Sequence, residues 1–397
     1  MPKGVYQKTP EQIEKIRKGV LAYRAKQRAQ VEAEQPIRLA VAPIPAISEA
    51  TENHLRPTQL DEFVGAENIK TELAFMIKSS EELQKPLGHI YLGGVAGCGK
   101  SSFARLIAKM AGSQNTILTY ASMIKTPRDL RNLFLQLDRS GYDDMGNVVG
   151  PTKKQFILLD EAHLLAKSNA HPEQWLEPLE DGVFTVKSND DWTGEQMTQR
   201  FKLPAFTAIV LSNRIDELPA PFLERLPIHW TLPPYETLEI ETLLFNACAK
   251  LNIATEPEAI RLIASAGRSI PRIALSYLDR CHTIQVAQGR PLVDRSLVEE
   301  AFQLIGIYDK GVTSQEVAVL SYLAKIKPAK VGVSRLATIC NMSTKGFLAN
   351  IEPFLQREGL INVVPAGRTI SMAGIKLLRQ NKLLPEVAHE GLKMLEK

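Results

Sequence analysis

Two short stretches of this 397-residue chain carry residue types that can do phosphate chemistry. The first is Gly94-Val95-Ala96-Gly97-Cys98-Gly99-Lys100-Ser101, which fits the pattern G-x-x-x-x-G-K-[ST] at every fixed position. Glycines at 94, 97 and 99 let the backbone wrap closely, with N–H groups turned toward an anion. Lys100 can reach the β- and γ-phosphates of a nucleotide, and Ser101 can ligand Mg²⁺. The second stretch is Gln155-Phe156-Ile157-Leu158-Leu159-Asp160-Glu161, an apolar run ending in two acids. Asp160 is suited to hold Mg²⁺, directly or through water, and Glu161 to polarise the water that attacks the γ-phosphate. Taken alone, that run is equally well a strand followed by acidic capping residues. Downstream of a phosphate loop the catalytic reading is favoured.

Chemistry at these positions requires elements that bring them together. HIYLGG before the loop reads as a buried strand, and SSFARLIAKMAG after it as a helix with apolar Phe103, Leu106, Ile107 and Met110. The loop therefore meets a helix N-terminus, whose partial positive charge favours an anion. Further apolar, β-branched runs, TILTYA, QFILLD and FTAIVLS, alternate with helical segments from Leu55 to about Leu232. This alternation predicts an α/β domain with a parallel sheet covered by helices. In such a fold the strands deliver their terminal residues to the carboxyl edge, where ligands bind. Residues 139–154 read as a polar, glycine-rich surface loop. Residues 233–306 read as all helical, and 313–378 as short helices followed by two strands, GLINVVPAGRTISM, in the order of a winged helix-turn-helix.

The expected organisation is thus a basic helical extension and linker (1–50), a large ATPase domain (51–232), a small helical lid (233–309), a winged-helix DNA-binding domain (310–380) and a tail (381–397). Within the extension, residues 9–34 have a narrow apolar stripe suited to one amphipathic helix, on DNA or on a protein partner. A 44% apolar and 23% charged composition is that of a soluble globular chain. No apolar run is long enough for a membrane span, and no secretory leader is evident. The four cysteines, Cys98, Cys248, Cys281 and Cys340, are widely spaced, as reduced thiols of a cytoplasmic protein would be. The net charge of +4 conceals a gradient: residues 1–50 carry net +4 and residues 310–379 net +7, flanking an acidic middle. Basic ends fit a polyanion, although charge alone fits a solvated surface equally well.

Three further positions resemble parts of AAA+ ATPases. Asn213, after the strand FTAIVLS, is placed like their polar sensor. Arg225, in APFLERL, stands where these ATPases place an arginine finger that completes the neighbouring subunit's site; its planar, permanently charged fork matches phosphate oxygens. Arg272, in GRSIPR, is placed like the second sensor on the lid. From about Leu55 to Leu378 the chain resembles the RuvB family of bacterial Holliday-junction branch-migration motors. The shared signatures are LRPTQLDEFVGAENIK, GVAGCGKSS, LLDEAHLL, LEPLEDG, FTAIVLSNRIDELPAPFLERLPI, PPYETLEI, GRSIPRIA, VGVSRLA, IEPFLQREGLI and PAGRT. The resemblance implies that Leu55 and Arg56 flank the nucleotide base, with Tyr235 near the adenine. It implies that Gly97, Gly99, Lys100, Ser101 and Ser102 cradle phosphate, that Arg272 touches it, and that Arg368 on the wing contacts DNA. Neighbouring lysines such as Lys345 would share that contact. The cofactors implied are ATP and Mg²⁺, and the assembly a homo-oligomeric ring or spiral, a hexamer in the first instance.

Several residues depart from the family pattern. Cys98 replaces a leucine, Ser101-Ser102 a Thr-Thr pair, and Leu223 the first arginine of an R-D-R-F run. A second DNA-contact arginine falls on Val363, and the first arginine of P-R-G-R on Ala366, so a weaker grip through the wing is expected. The family's hairpin for its junction-recognition partner falls on VFTVKSNDDWTGEQMTQRFKLP, which differs strongly, so pairing with that partner is not implied. The reading is an ATP-driven DNA motor of divergent type, acting in recombination, repair or replication. The alternative is an AAA+ loader or regulator that places a partner protein on DNA without translocating.

Overall fold

The computed structural model describes residues 55–383 except 144, 168–171 and 190–195. The expected helix over 9–34, the linker and residues 384–397 lie outside the described residues. The chain divides into two compact units, one ending at Ala301 and one beginning at Phe302.

In the first unit, α1 (Glu67–Glu82) precedes β1 (Ile90–Gly93) and α2 (Lys100–Met110). Then come β2 (Asn115–Tyr120), α3 (Pro127–Phe134), β3 (Gln155–Asp160), α4 (Leu176–Glu180), the strands β4 (Val183–Asn189) and β5 (Gln196–Lys202), β6 (Thr207–Ser212), α5 (Ala220–Glu224) and β7 (Ile228–Thr231). Five strands form a parallel sheet in the order β2-β3-β6-β1-β7. The central strands β1, β3 and β6 are buried at every residue, as unbroken apolar runs covered on both faces should be. Crossovers place β6 between β3 and β1, so the chain turns after Asp160, Ser212 and Gly93 lie side by side on one sheet edge. The expected parallel α/β architecture is the observed one. The fifth strand, β7, was not legible: it is four residues, IHWT, hemmed between Pro227 and Pro233. Met110 also departs from the expected apolar stripe. It is exposed, and α2 packs through Phe103, Leu106 and Ile107.

β4 and β5 pair antiparallel as a separate hairpin within the stretch that differs from the family pattern. Helices α6 (Thr237–Leu251), α7 (Pro257–Ala266), α8 (Pro271–Gln288) and α9 (Arg295–Ile305) make up the helical segment read from the sequence as a lid. The boundary between the two units falls within α9.

The second unit holds α10 (Ser314–Lys325), α11 (Val333–Ile339), α12 (Thr344–Asn350), α13 (Glu352–Arg357), the antiparallel pair β8 (Ile361–Val364) and β9 (Gly367–Ile370), and α14 (Met372–Gln380). Thr313 caps α10 in a reciprocal box with Glu316. Val331 bridges to Arg368 and adds a third edge to the β8–β9 wing. Leu320, Leu336, Phe347, Leu355 and Leu378 are fully or almost fully buried in one core, which fixes the winged-helix arrangement. Among the described residues no helix is long and apolar enough to cross a membrane. All four cysteines are buried and unpaired.

Candidate nucleotide site

The phosphate loop is an open backbone cradle. Gly94, Gly97 and Gly99 have φ of 140°, 82° and 92°. A side chain at Gly97 would also collide with the lid: its Cβ would lie 3.0 Å from Ile270 Cγ2 and from Arg272 Cβ. Glycine is therefore required there by both backbone conformation and close approach. Lys100 is buried and donates to the carbonyls of Gly94 and Val95, each at 3.0 Å. The ammonium is held over the loop by two weak neutral acceptors, positions that phosphate oxygens would contest with full charge. Burial pushes the Cys98 thiol up, which keeps a second anion out of the loop.

Ser101 and Asp160, the two residues expected to hold Mg²⁺, are in direct contact. Ser101 Oγ, at the start of α2, donates to Asp160 Oδ2 at 2.7 Å, joining the helix to the end of β3. Both are hard oxygen donors, and their separation fits a small divalent ion sharing them. Asp160 Oδ1 also accepts the N–H of Glu161 at 2.9 Å, bending the chain so that Glu161 takes a left-handed φ of 54°. A non-glycine residue in that region costs about 1–3 kcal/mol. The bend leaves the Glu161 carboxylate half exposed instead of buried with β3.

Asn213, the expected sensor, follows β6 directly and is exposed, and β6 lies next to β3 in the sheet. Two neighbours were missed at the sequence level. His163 Nδ1 lies 3.4 Å from Glu161 Oε2 and 3.4 Å from Ser212 Oγ. Ser212 Oγ also accepts the Arg214 N–H at 3.0 Å. His163 thus links Glu161 to the end of β6. The only available signal was its position three residues after Asp160, which becomes meaningful once the turn after β3 is seen to fold back over β6.

Arg225 caps the C-terminus of α5. Its Nε and Nη2 donate to Glu180 Oε2 at 3.0 and 2.7 Å, and Nη1 donates to Pro221 O at 3.1 Å. It borders an open cleft of about 650 Å³ that includes His89, Leu179, Glu180 and Glu224. At its floor His89 accepts the Ala208 N–H through Nδ1, so Nε2 carries the proton donated to Leu179 O. Burial lowers the pKa of His89 and keeps it neutral. The structure does not bring Arg225 to its own chain's phosphate loop. That separation is what a residue acting on another subunit requires.

The lid touches the loop through the start of α8. Arg268 and Ser269 both adopt left-handed φ, 55° and 63°. This sharp entry lets Ser269 O accept the Tyr235 N–H at 3.3 Å and sets the Arg272 N–H 3.4 Å from Gly97 O. Tyr235 is buried beside Phe63 and Glu239 in a small cavity next to the loop, and burial raises its phenol pKa. At the other side of the site, the buried Arg56 Nε has no hydrogen-bond partner. Arg105 nearby has its pKa lowered by burial first and by the Arg56 charge second. An unpartnered guanidinium nitrogen beside a second arginine fits a nucleotide, which offers acceptors on its base as well as on its phosphates. Leu55 is partly buried just before Arg56, and Ser102 lies in the first turn of α2 behind Ser101.

The wing differs from expectation in one respect. Arg368 is not a free cation: its Nε and Nη2 donate to Glu352 Oε2 and Oε1 at 2.7 and 2.9 Å, and both side chains are largely buried. Lys345, near the N-terminus of α12, is exposed. Removing one member of a largely buried pair strands the other, so Arg368→Ala should cost about 1–3 kcal/mol in denaturant unfolding of the wing unit. The salt dependence of DNA binding should stay nearly unchanged. A slope shallower by about one, with unchanged stability, would instead make Arg368 a phosphate contact.

Residues 55–232 match the Holliday junction DNA helicase RuvB P-loop domain, and residues 309–379 the RuvB C-terminal winged helix domain. Proteins named Holliday junction branch migration complex subunit RuvB are similar over most of the chain. The one from Mycoplasmopsis pulmonis is 27% identical over 83% of this chain and 99% of its own length. The one from Campylobacter lari is 28% identical over 83% and 93%. Among solved structures, the Thermotoga maritima RuvB Holliday junction branch migration motor superposes with a TM-score of 0.65 at 23% identity, covering 82% of this chain and 98% of that one. That likeness establishes a common fold. With a phosphate loop joined to its acid pair, a lid seated on the loop and a winged-helix unit in the same order, the chain belongs to the RuvB family of AAA+ ATPases.

Proposed function

We propose that this protein is an ATP-driven DNA motor of the branch-migration type, working in the cytoplasm as a homo-oligomeric ring or spiral, hexameric as the family resemblance implies. The observation that supports the reading is the 2.7 Å contact between Ser101 and Asp160, which joins the helix after the phosphate loop to the strand that ends just before the half-exposed Glu161. The relatives named above are subunits of a Holliday junction branch migration complex, and the winged-helix unit supplies the second requirement, a surface for DNA.

In this reading the glycines at 94, 97 and 99, with Lys100, Ser101 and Ser102, hold the phosphates. Leu55, Arg56 and Tyr235 hold the base, and Arg272 carries the state of the loop into the lid. Ser101 and Asp160 fit Mg²⁺, which when bound supplies charge that stabilises the phosphoryl oxygens. Glu161 orients the attacking water and accepts its proton, and Asn213 fixes that water from the adjoining strand. Arg225 completes the site of the next subunit. DNA is held by exposed cations such as Lys345, while Arg368 stays paired with Glu352.

The occupied state of Arg368, together with Val363 and Ala366 on the wing, favours a second reading: an ATP-dependent loader that positions a DNA-targeting protein. A mobile four-way junction with a labelled arm separates the two. Purified protein with ATP and Mg²⁺ should release the arm, and Glu161→Gln should not. No release alone, with ATP turnover stimulated several-fold by a protein partner, would replace the motor with the loader.

A further inference from the structure

We propose that Glu180 is a latch on the arginine finger, holding Arg225 within its own subunit until the phosphates of a neighbouring subunit compete for it. This rests on the reading of Arg225 as the residue that completes the next subunit's site. Nε and Nη2 of Arg225 converge on one oxygen of Glu180, and the Pro221 carbonyl takes a third donor, Nη1. The guanidinium is thereby aimed along its own surface. To face a nucleotide on another chain it must leave Glu180.

The position of Glu180 is itself defined. It ends α4, and one turn earlier in the same helix Glu177 takes the Thr185 hydroxyl at 2.6 Å and Arg200 Nη2 at 2.5 Å. Thr185 and Arg200 are directly opposed on β4 and β5. Two carboxylates of one short helix therefore grip different things: Glu177 the hairpin, Glu180 the finger. The hairpin anchors α4, and α4 presents the latch.

Exposure decides that the contact is a latch and not a structural brace. The Glu180 side chain is 57% exposed and that of Arg225 26%. A solvated ion pair of this kind shifts an equilibrium by up to about five-fold. Phosphate oxygens in a water-poor interface offer a stronger, doubly matched acceptor for the same fork. The competition therefore favours transfer only when a loaded neighbour is present, and it suppresses stray engagement of the finger in the free subunit.

The test is ATP turnover against protein concentration, at saturating ATP and Mg²⁺, for wild type, Glu180→Gln, Glu180→Ala, Glu180→Asp and Arg225→Ala. Glu180→Gln should reach half-maximal turnover at roughly two- to five-fold lower protein concentration, with KM for ATP at saturating protein unchanged. Glu180→Ala should shift the curve in the same direction. Glu180→Asp, which keeps the charge, should restore much of the wild-type curve. Coincident curves for wild type, Glu180→Gln and Glu180→Ala, or shifts to higher concentration, with Arg225→Ala inactive, overturn the latch while leaving the finger intact. Full turnover by Arg225→Ala overturns the finger itself, and the latch with it.

Discussion

Lys100→Ala should abolish nucleotide binding, whereas Glu161→Gln should bind ATP with near-native affinity and fail to hydrolyse it. The two substitutions act on different parts of one site. Lys100 is buried, already 3.0 Å from two loop carbonyls, and belongs to the loop itself. Its loss removes charge from the ground state and the transition state alike, so binding falls. Glu161 directly follows Asp160 outside the loop, and its half-exposed carboxylate lies 3.4 Å from His163 Nδ1. Glutamine keeps its size and loses its basicity. Turnover should fall by about 10²–10⁴ while the Kd for ATP changes little. Equilibrium binding of a fluorescent ATP analogue and steady-state phosphate release measure both halves. Normal turnover by Glu161→Gln would take Glu161 out of the catalytic role. Unimpaired binding by Lys100→Ala would mean that the backbone N–H groups suffice.

Those residues were legible because the chemistry is local. A phosphate loop needs consecutive residues between a strand and a helix, and apolar strands ending in acids announce themselves by composition. Ser101 and Asp160 could be expected to meet because the turn after β1 and the end of β3 both lie at the carboxyl edge of one sheet. Other features depend on where the chain goes next. His163 became a neighbour of Glu161 only through the turn after β3, and Ser212 only because β6 inserts between β3 and β1. Glu180 is forty-five residues from Arg225, and no spacing rule connects them. The hairpin β4–β5 has a polar, charged sequence with weak alternation, so the family resemblance was its only signal. Arg368 shows the converse limit. Its type and position on the wing fit a DNA contact, yet burial beside Glu352 gives it a partner within the fold, and burial is not readable from a single basic residue.

Arg225 should act in trans, and mixing two inactive proteins should demonstrate it. Arg225→Ala retains Lys100 and Glu161 but lacks the finger; Lys100→Ala retains the finger but cannot hold nucleotide. Each alone should be inactive, since within a uniform assembly every interface lacks the same component. In a mixed assembly some interfaces place an intact Lys100 against an intact Arg225. With random mixing at equal amounts, about a quarter of interfaces are complete, so recovered turnover should approach that fraction of wild type if interfaces fire independently. It should fall well below it if firing is coordinated around the assembly. The structural motive is the separation already described: Arg225 lies at the end of α5, bound to Glu180 beside the His89 cleft, and does not reach the phosphate loop of its own chain. An arginine acting in cis would have to be there. The measurement is phosphate release at fixed total protein across mixing ratios, with co-assembly verified by a tag on one variant. A mixture that stays inactive although mixed oligomers are present would return Arg225 to a role within its own subunit.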